Sequence, residues 1–111
     1  MPPSQDLEPV EWVTKGTIRK YFNDGRFAER VGSGELTTML KWESHADPRR
    51  TGEPLCTQSQ IVYYYAPDGH AVAVVHQYLR PDGTIGASGL PDPKCLFLQD
   101  RTIHLPSEPS S

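Results

Sequence analysis

With 111 residues, a net charge of −3 and 36% hydrophobic residues, the chain has room for one domain with a modest core. Acidic and basic side chains are interleaved along it, so it lacks the basic stripe typical of nucleic-acid-binding proteins, and nucleic acid is an unexpected partner. No apolar run approaches the roughly 18 residues of a membrane span and the N-terminus lacks a secretory signal, so we expect a cytoplasmic protein without membrane contact.

The proline and cysteine contents predict the length of the elements and the state of the thiols. The 11 prolines are about twice the usual frequency, and proline is excluded from helix interiors and central strands. We therefore expect short elements joined by many turns. Cys56 and Cys95 stand alone and far apart, which is typical of free thiols in a cytosolic protein, with a disulfide between them as the alternative.

The first third of the chain contains one apolar patch and one turn signal. Residues 1–9 are rich in proline and polar side chains and are predicted to be disordered. Trp12 then plugs one end of the core or covers a sheet face, and a short helix over residues 7–14 is possible. Residues 17–22 alternate in polarity before Asn-Asp-Gly, which predicts a hairpin with residues 26–31.

Residues 35–45 fit two patterns. A helical stripe through Leu36, Met39 and Leu40 is possible, but a strand face through Leu36, Thr38, Leu40 and Trp42 fits equally well. The adjacent threonines and the tryptophan favour the strand, which places Glu43 and His45 on its outward face. Residues 47–58 contain two prolines and a glycine and are predicted to be a long loop.

The stretch from residue 60 to 87 organises the rest of the chain. Residues 61–66 and 71–79 are rich in Val, Ile and Tyr, and a Pro-Asp-Gly corner follows each of them. The sequence predicts a three-strand antiparallel meander here. The middle strand is apolar on both faces, which is expected of a strand that is covered on both sides.

The end of the chain repeats this pattern on a smaller scale. Residues 95–98 and 102–105 are predicted to form a last hairpin, and residues 106–111 a disordered tail. The predicted fold is a single β-rich α+β domain over residues 10–105. Its antiparallel meander sheet has about six to eight short strands, with at most one or two short helices.

A polar cluster on and after the middle strand is the candidate site. His76 is the candidate proton carrier, and Arg80, Glu43 and His45 complete a candidate acid–base and phosphate-binding set such as small ribonucleases need. The alternative is that His76 is simply packed against the sheet. The candidate binding residues are Tyr78, Asp82, Ser88, Asp92, Lys94 and Trp42.

Residue spacing bears on two further kinds of site. Gly83, Gly86 and Gly89 recur every third residue, so their loop is a candidate for binding an anion through backbone N–H groups, although a tight irregular loop explains them as well. The histidines lie far apart in sequence and the Cys-x-x-Cys spacing is absent, so we expect neither a metal nor a cofactor.

The segment over residues 74–94, VVHQYLRPDGTIGASGLPDPK, resembles a segment of short bacterial proteins to which no activity is assigned. The resemblance covers about a fifth of the chain and implies no catalytic residue. From the residues themselves we expect a small binding or regulatory module that acts through a protein partner or as a homodimer. The alternatives are a small nuclease-like toxin or other hydrolase that uses His76 and Arg80, and a ligand or anion binder at residues 83–94.

Overall fold

The computed structural model describes residues 9–86 and 89–106. These residues form a six-stranded sheet with three helices, so the strand-rich α+β class is confirmed, whereas the prediction of at most one or two helices is too low. In chain order, the elements are β1 (Val10–Trp12), α1 (Lys15–Asp24), α2 (Phe27–Gly32), β2 (Thr37–His45), α3 (Pro48–Thr51), β3 (Gln58–Tyr65), β4 (Ala71–Leu79), β5 (Asp92–Phe97) and β6 (Thr102–His104). The predictions for residues 1–8, 87–88 and 107–111 lie outside the described residues.

The strand order is β1-β6-β5-β4-β3-β2, and this order makes β2 one edge of the sheet. Every neighbouring pair from β2 to β6 is antiparallel, as a meander requires. The pairing of β1 with β6 is parallel, however, so the sheet is mixed and is not a pure meander. β1 can reach β6 because α1 and α2 separate it from β2 in the chain.

The hairpin predicted over residues 17–31 is wrong, because this segment forms α1 and α2. Ile18 and Phe22 are four residues apart, so in a helix they lie on one face, and both are buried. The Thr14 side chain caps the first turn of α1, and Gly25 ends the helix after Asn23-Asp24. The Asn-Asp-Gly signal therefore lies at the end of a helix and not in a hairpin turn, and the residue with the left-handed backbone that follows the helix is Arg26.

The two helices define the inner face of the sheet. Phe22 packs on Phe27 with an edge-to-face geometry and on Tyr64 of β3. The strand residues buried beneath the helices include Val62, Tyr64, Ala73, Val75, Leu96 and Ile103. The alternate residues of β3 and β4, such as Ile61, Tyr63, Val74 and His76, lie on the opposite, outer face and are half-buried.

The meander is confirmed for its first two strands and corrected for its third. β3 and β4 pair along their whole length around the first Pro-Asp-Gly corner. After the second corner, the described residues form an isolated bridge between Leu79 and Ile85, and the next described strand is β5, which begins at Asp92. β5 and β6 then form the predicted final hairpin. Cys56 and Cys95 are free thiols. The predicted loop over residues 47–58 includes the single helical turn α3.

The ambiguous segment at residues 35–45 is a strand from Thr37 onwards, as predicted, but Leu36 lies before the strand and a bulge changes which side chains share a face. Leu40 pairs with Val62 and Trp42 pairs with the next residue, Ile61, so Lys41 is the extra residue of a β-bulge. One inserted residue moves all later side chains to the other face. Trp42 therefore lies on the outer face, and Glu43 lies on the inner side beside Gln60.

Candidate functional site

Neighbouring strands bring a serine and a histidine into direct contact on the outer face. Ser59 of β3 lies opposite Tyr78 of β4, and Ile61 lies opposite His76. Because diagonal neighbours on one face are within reach of each other, the Ser59 hydroxyl bonds to Nε2 of His76 at 2.7 Å. The His76 ring also packs edge-on against Tyr78, with 4.7 Å between the ring centroids.

This pair lies beside an open cavity of about 350 Å³ at the end of β2 and β3. Ser59, which is half-buried, and Tyr78 are part of its wall. The wall is mostly polar and is completed by residues from β2 and from the segment around α3, namely Ser44, His45, Ala46, Asp47, Arg50 and Thr51. We call this space the Ser59 cavity.

The surroundings of His76 favour its neutral form. Desolvation is the main cause that lowers the pKa of His76, and the positive charge of Lys94 acts in the same direction. The negative charge of Asp92, which lies opposite His76 in the strand register, acts against them. A neutral imidazole has one nitrogen that can accept a proton, which makes it a possible base for the Ser59 hydroxyl.

Arg80 does not join His76, because its side chain extends to the loop before β3. Its Nε donates to Glu53 Oε1 at 2.7 Å, and the Glu53 side chain is only 6% exposed. The carboxylate of Glu53 lies against Gly86, close enough that a Cβ added there would be 2.5 Å from Oε1. The glycine-rich loop proposed to bind an anion thus already packs against a carboxylate of the protein itself.

Glu43 and His45 also have partners of their own. Gln77 donates to Gln60 at 2.8 Å and Gln60 donates to Glu43 at 2.6 Å, which forms a row of amides and a carboxylate across three strands. This row lies on the inner side of the sheet, whereas His76 lies on the outer face. His45 contacts Gln58 through Nδ1 at 3.2 Å and lines the Ser59 cavity.

The predicted binding residues are dispersed. Asp82 accepts hydrogen bonds from the Thr84 amide and hydroxyl within its own turn, and these bonds lower the pKa of its carboxyl group. Asp92 forms an ion pair with Arg19 of α1. Lys94 lines a second cleft together with Lys15 and Arg19. Ser88 lies outside the described residues.

A second feature of the outer face is a group of exposed and half-buried apolar side chains beside the β2 edge. Met39 lies opposite Tyr63, Trp42 lies opposite Ile61, and Trp42 is 53% exposed. Tyr63 and Tyr65 lie side by side, with centroids 6.3 Å apart. We call Met39, Trp42, Ile61, Tyr63 and Tyr65 the aromatic patch.

Lys41, the bulged residue, lies over this patch. Its Nζ is 5.3 Å from the centroid of the Tyr63 ring and 5.7 Å from that of Tyr65, which is within the range of a cation–π contact. Lys41 forms no ion pair with any residue in the described part of the chain. The patch therefore combines apolar surface with one positive charge.

The sequence interpretation missed Ser59 and Glu53. Ser59 sits in a short polar run before the apolar part of β3, so nothing in its own neighbourhood marks it. The available signal was the hairpin register, because counting outwards from the first Pro-Asp-Gly corner places residue 59 near residues 76 and 78. Glu53 lay in a segment predicted to be a solvated loop.

Within residues 9–86 and 89–106, no three His, Cys, Asp or Glu side chains come together in a way that could hold a metal ion. None of the helices in these ranges is long and apolar enough to cross a membrane. No protein-family model, curated protein or solved structure matches this chain.

Proposed function

We propose that this chain is a small binding module that recognises a protein partner through its aromatic patch. The observation that carries the proposal is the exposure of Trp42 and Met39, at 53% and 52%, on one face next to the half-buried Ile61, Tyr63 and Tyr65. Contiguous exposed apolar surface is uncommon on monomeric proteins and is typical of interaction sites.

The composition of the patch suits a protein interface. Tryptophan, tyrosine and methionine are enriched at such interfaces, and a central Trp is the kind of residue that carries much of the binding free energy. The patch lies mostly on two hydrogen-bonded strands, so its backbone is held in place and little ordering is needed when a partner binds.

Charge adds a preference within this class of partner. The five residues of the patch are uncharged, and Lys41, which lies over them, carries a positive charge. No carboxylate of the described residues pairs with Lys41. A partner that presents an apolar surface next to an Asp or Glu would pair with it. Electrostatic matching of this kind acts mainly on specificity and association rate.

The test immobilises the wild-type chain and two variants and compares the set of proteins that each of them captures. A Met39→Ser, Trp42→Ser double variant removes the most exposed part of the patch. The matched control is Leu55→Ser, because Leu55 is 76% exposed but lies in the turn before β3, outside the patch. We expect specific partners on the wild type and on the Leu55 variant, and their loss from the double variant.

The binding affinity of any captured partner is then measured with purified components. A loss of at least about tenfold in the double variant, with an unchanged circular dichroism spectrum, supports the patch as the interface. Capture of the same partners by the double variant, or no specific capture by the wild type, contradicts the proposal.

A further inference from the structure

We propose that Ser59 is a nucleophile with His76 as its general base, and that the pair hydrolyses small carboxylic esters whose acid part carries a negative charge. This activity is separate from partner binding at the aromatic patch. The Ser59 hydroxyl is 2.7 Å from Nε2 of His76, and the Ser59 residue is part of the wall of the Ser59 cavity. A nucleophile and a base within hydrogen-bond distance, with open space on the nucleophile's side, are the core of serine-dependent acyl transfer.

The position of His76 suits the role of a base. Its ring is held between two strands and packs against Tyr78, so Nε2 is directed at Ser59. Asp92 and Lys94 of β5 are the charged groups whose fields act on it. The net effect of burial and of these two charges keeps the pKa of His76 below its ordinary value, so the ring is ready to accept the serine proton at neutral pH.

The cavity wall indicates the class of substrate. Arg50 lines the cavity and forms no ion pair with a described residue, so its guanidinium is available to a carboxylate on the substrate. The remaining wall holds the hydroxyl-bearing residues Ser44, Thr51 and Tyr78 together with His45, Ala46 and Asp47, whose carboxylate accepts a hydrogen bond from the Arg49 amide. A volume of about 350 Å³ is at the small end of the range for ligand sites and fits an acyl group of a few carbons.

The reaction needs only water as a second reactant. Ser59 Oγ attacks the ester carbonyl carbon while its proton passes to His76 Nε2. The bond between that carbon and the alcohol oxygen breaks, and the alcohol leaves with the proton from His76. Water then attacks the acyl-serine, gives one proton to His76, and releases the carboxylic acid as the Ser59 hydroxyl recovers that proton.

The first experiment uses two activated esters of similar size, 4-nitrophenyl hemisuccinate and 4-nitrophenyl butyrate, of which only the first has an anionic acyl group. We expect turnover of the hemisuccinate and acylation of the Ser59-containing peptide in mass spectrometry. The hydrolysis of each ester in buffer without protein is subtracted first, because the free carboxylate of the hemisuccinate itself expels the nitrophenolate. Ser59→Ala should then reduce the remaining rate to the background set by exposed imidazoles, and His76→Gln should reduce kcat at least about 100-fold.

Two variants separate binding from chemistry. Arg50→Gln should raise KM for the hemisuccinate with little change in kcat, and should leave the butyrate reaction unchanged, because only the anionic ester uses the guanidinium. His70→Gln is the control for surface imidazole, since His70 is exposed in the turn before β4. Its rate should equal that of the wild type.

A fluorophosphonate probe decides the question without any variant. Covalent labelling of wild-type Ser59 is expected, and it does not depend on whether Ser59→Ala folds. Absence of labelling at Ser59 overturns the proposal by itself, and so does ester hydrolysis that survives in Ser59→Ala or that is lost in His70→Gln. None of these results depends on a partner at the aromatic patch, so failure of one proposal leaves the other standing.

Discussion

The buried carboxylate of Glu53 accepts a hydrogen bond from Nε of Arg80 at 2.7 Å and at the same time packs against Gly86. This contact joins the loop before β3 to the loop after β4, so it fixes the two segments that flank one end of the central hairpin. Arg80 was predicted to be a catalytic residue, but its side chain is committed to this loop-to-loop contact. A joint catalytic role of His76 and Arg80 stays a prediction.

A Gly86→Ala substitution should destabilise the protein, because the new Cβ would lie 2.5–2.6 Å from the atoms of the Glu53 carboxyl group. The carboxylate must then move, which disturbs its bond to Arg80. Overpacking at a close contact typically costs about 1–3 kcal/mol, and we expect a loss in this range in urea denaturation.

The matched control is Gly16→Ala in the first turn of α1. An added Cβ at Gly16 meets nothing within 4 Å, and alanine is the better helix former. This variant should be as stable as the wild type or more stable by up to about 1 kcal/mol. Equal stability of the Gly86→Ala and Gly16→Ala variants would show that the close approach of Glu53 to Gly86 is not a constraint.

The sequence predicted the strands more reliably than the helices, and the reason is visible in single segments. Both corners with Pro-Asp-Gly follow runs of Val, Ile and Tyr, so local turn chemistry and strand preference agree for β3 and β4. In residues 17–31 the two signals disagree. Ile18 and Phe22 have the spacing of a helix face, while Asn-Asp-Gly serves equally as a hairpin turn or a helix stop.

The candidate site was harder to predict because it depends on pairings across strands. A bulge at Lys41 moved Trp42 to the outer face and Glu43 to the inner side, and a bulge of one residue leaves no clear mark in the sequence. His76 was identified from its own strand, but its partner Ser59 lies 17 positions away in the chain. Which residues surround His76 depends on the register between neighbouring strands, and the residue pattern of one strand does not specify that register.

The stability of the protein should fall on acidification through His76. Since the pKa of His76 is lowered in the folded state, mainly by desolvation, the unfolded chain binds a proton more readily than the folded chain does. The contribution is fully present above the ordinary histidine pKa of about 6.5 and is lost as the pH falls towards the lowered folded-state value.

The measurement is the urea midpoint at about pH 7.5 and about pH 5.5 for the wild type and for His76→Gln. Acid also protonates carboxylates, but the resulting change in stability is common to the wild type and the variant. We therefore expect the wild type to lose more stability than the variant over this interval. An equal or larger loss in the variant would mean that His76 titrates in the same way in both states.

The two cysteines should differ strongly in reactivity. Cys95 is buried, and burial raises the pKa of its thiol to about 11, whereas Cys56 is exposed. Because the thiolate is the reactive form, a thiol reagent should label Cys56 quickly in the native protein and Cys95 only after unfolding. Peptide mapping identifies the site, and Cys56→Ser should abolish the fast phase. Two equally fast thiols in the native protein would contradict the buried position of Cys95.

Lys41 should protect the exposed edge of the sheet from pairing with other molecules. β2 is an edge strand that exposes Met39, Leu40 and Trp42, and a charge together with a bulge are two devices that keep such edges apart. Lys41→Met removes the charge and leaves a longer apolar run, so we expect stronger light scattering at high protein concentration.

Lys20→Met is the control, because it removes the same charge from an exposed position on α1. Lys41→Arg should behave like the wild type, since it keeps the charge at the edge. If the two methionine variants scatter equally, the effect comes from net charge and the edge is protected in another way.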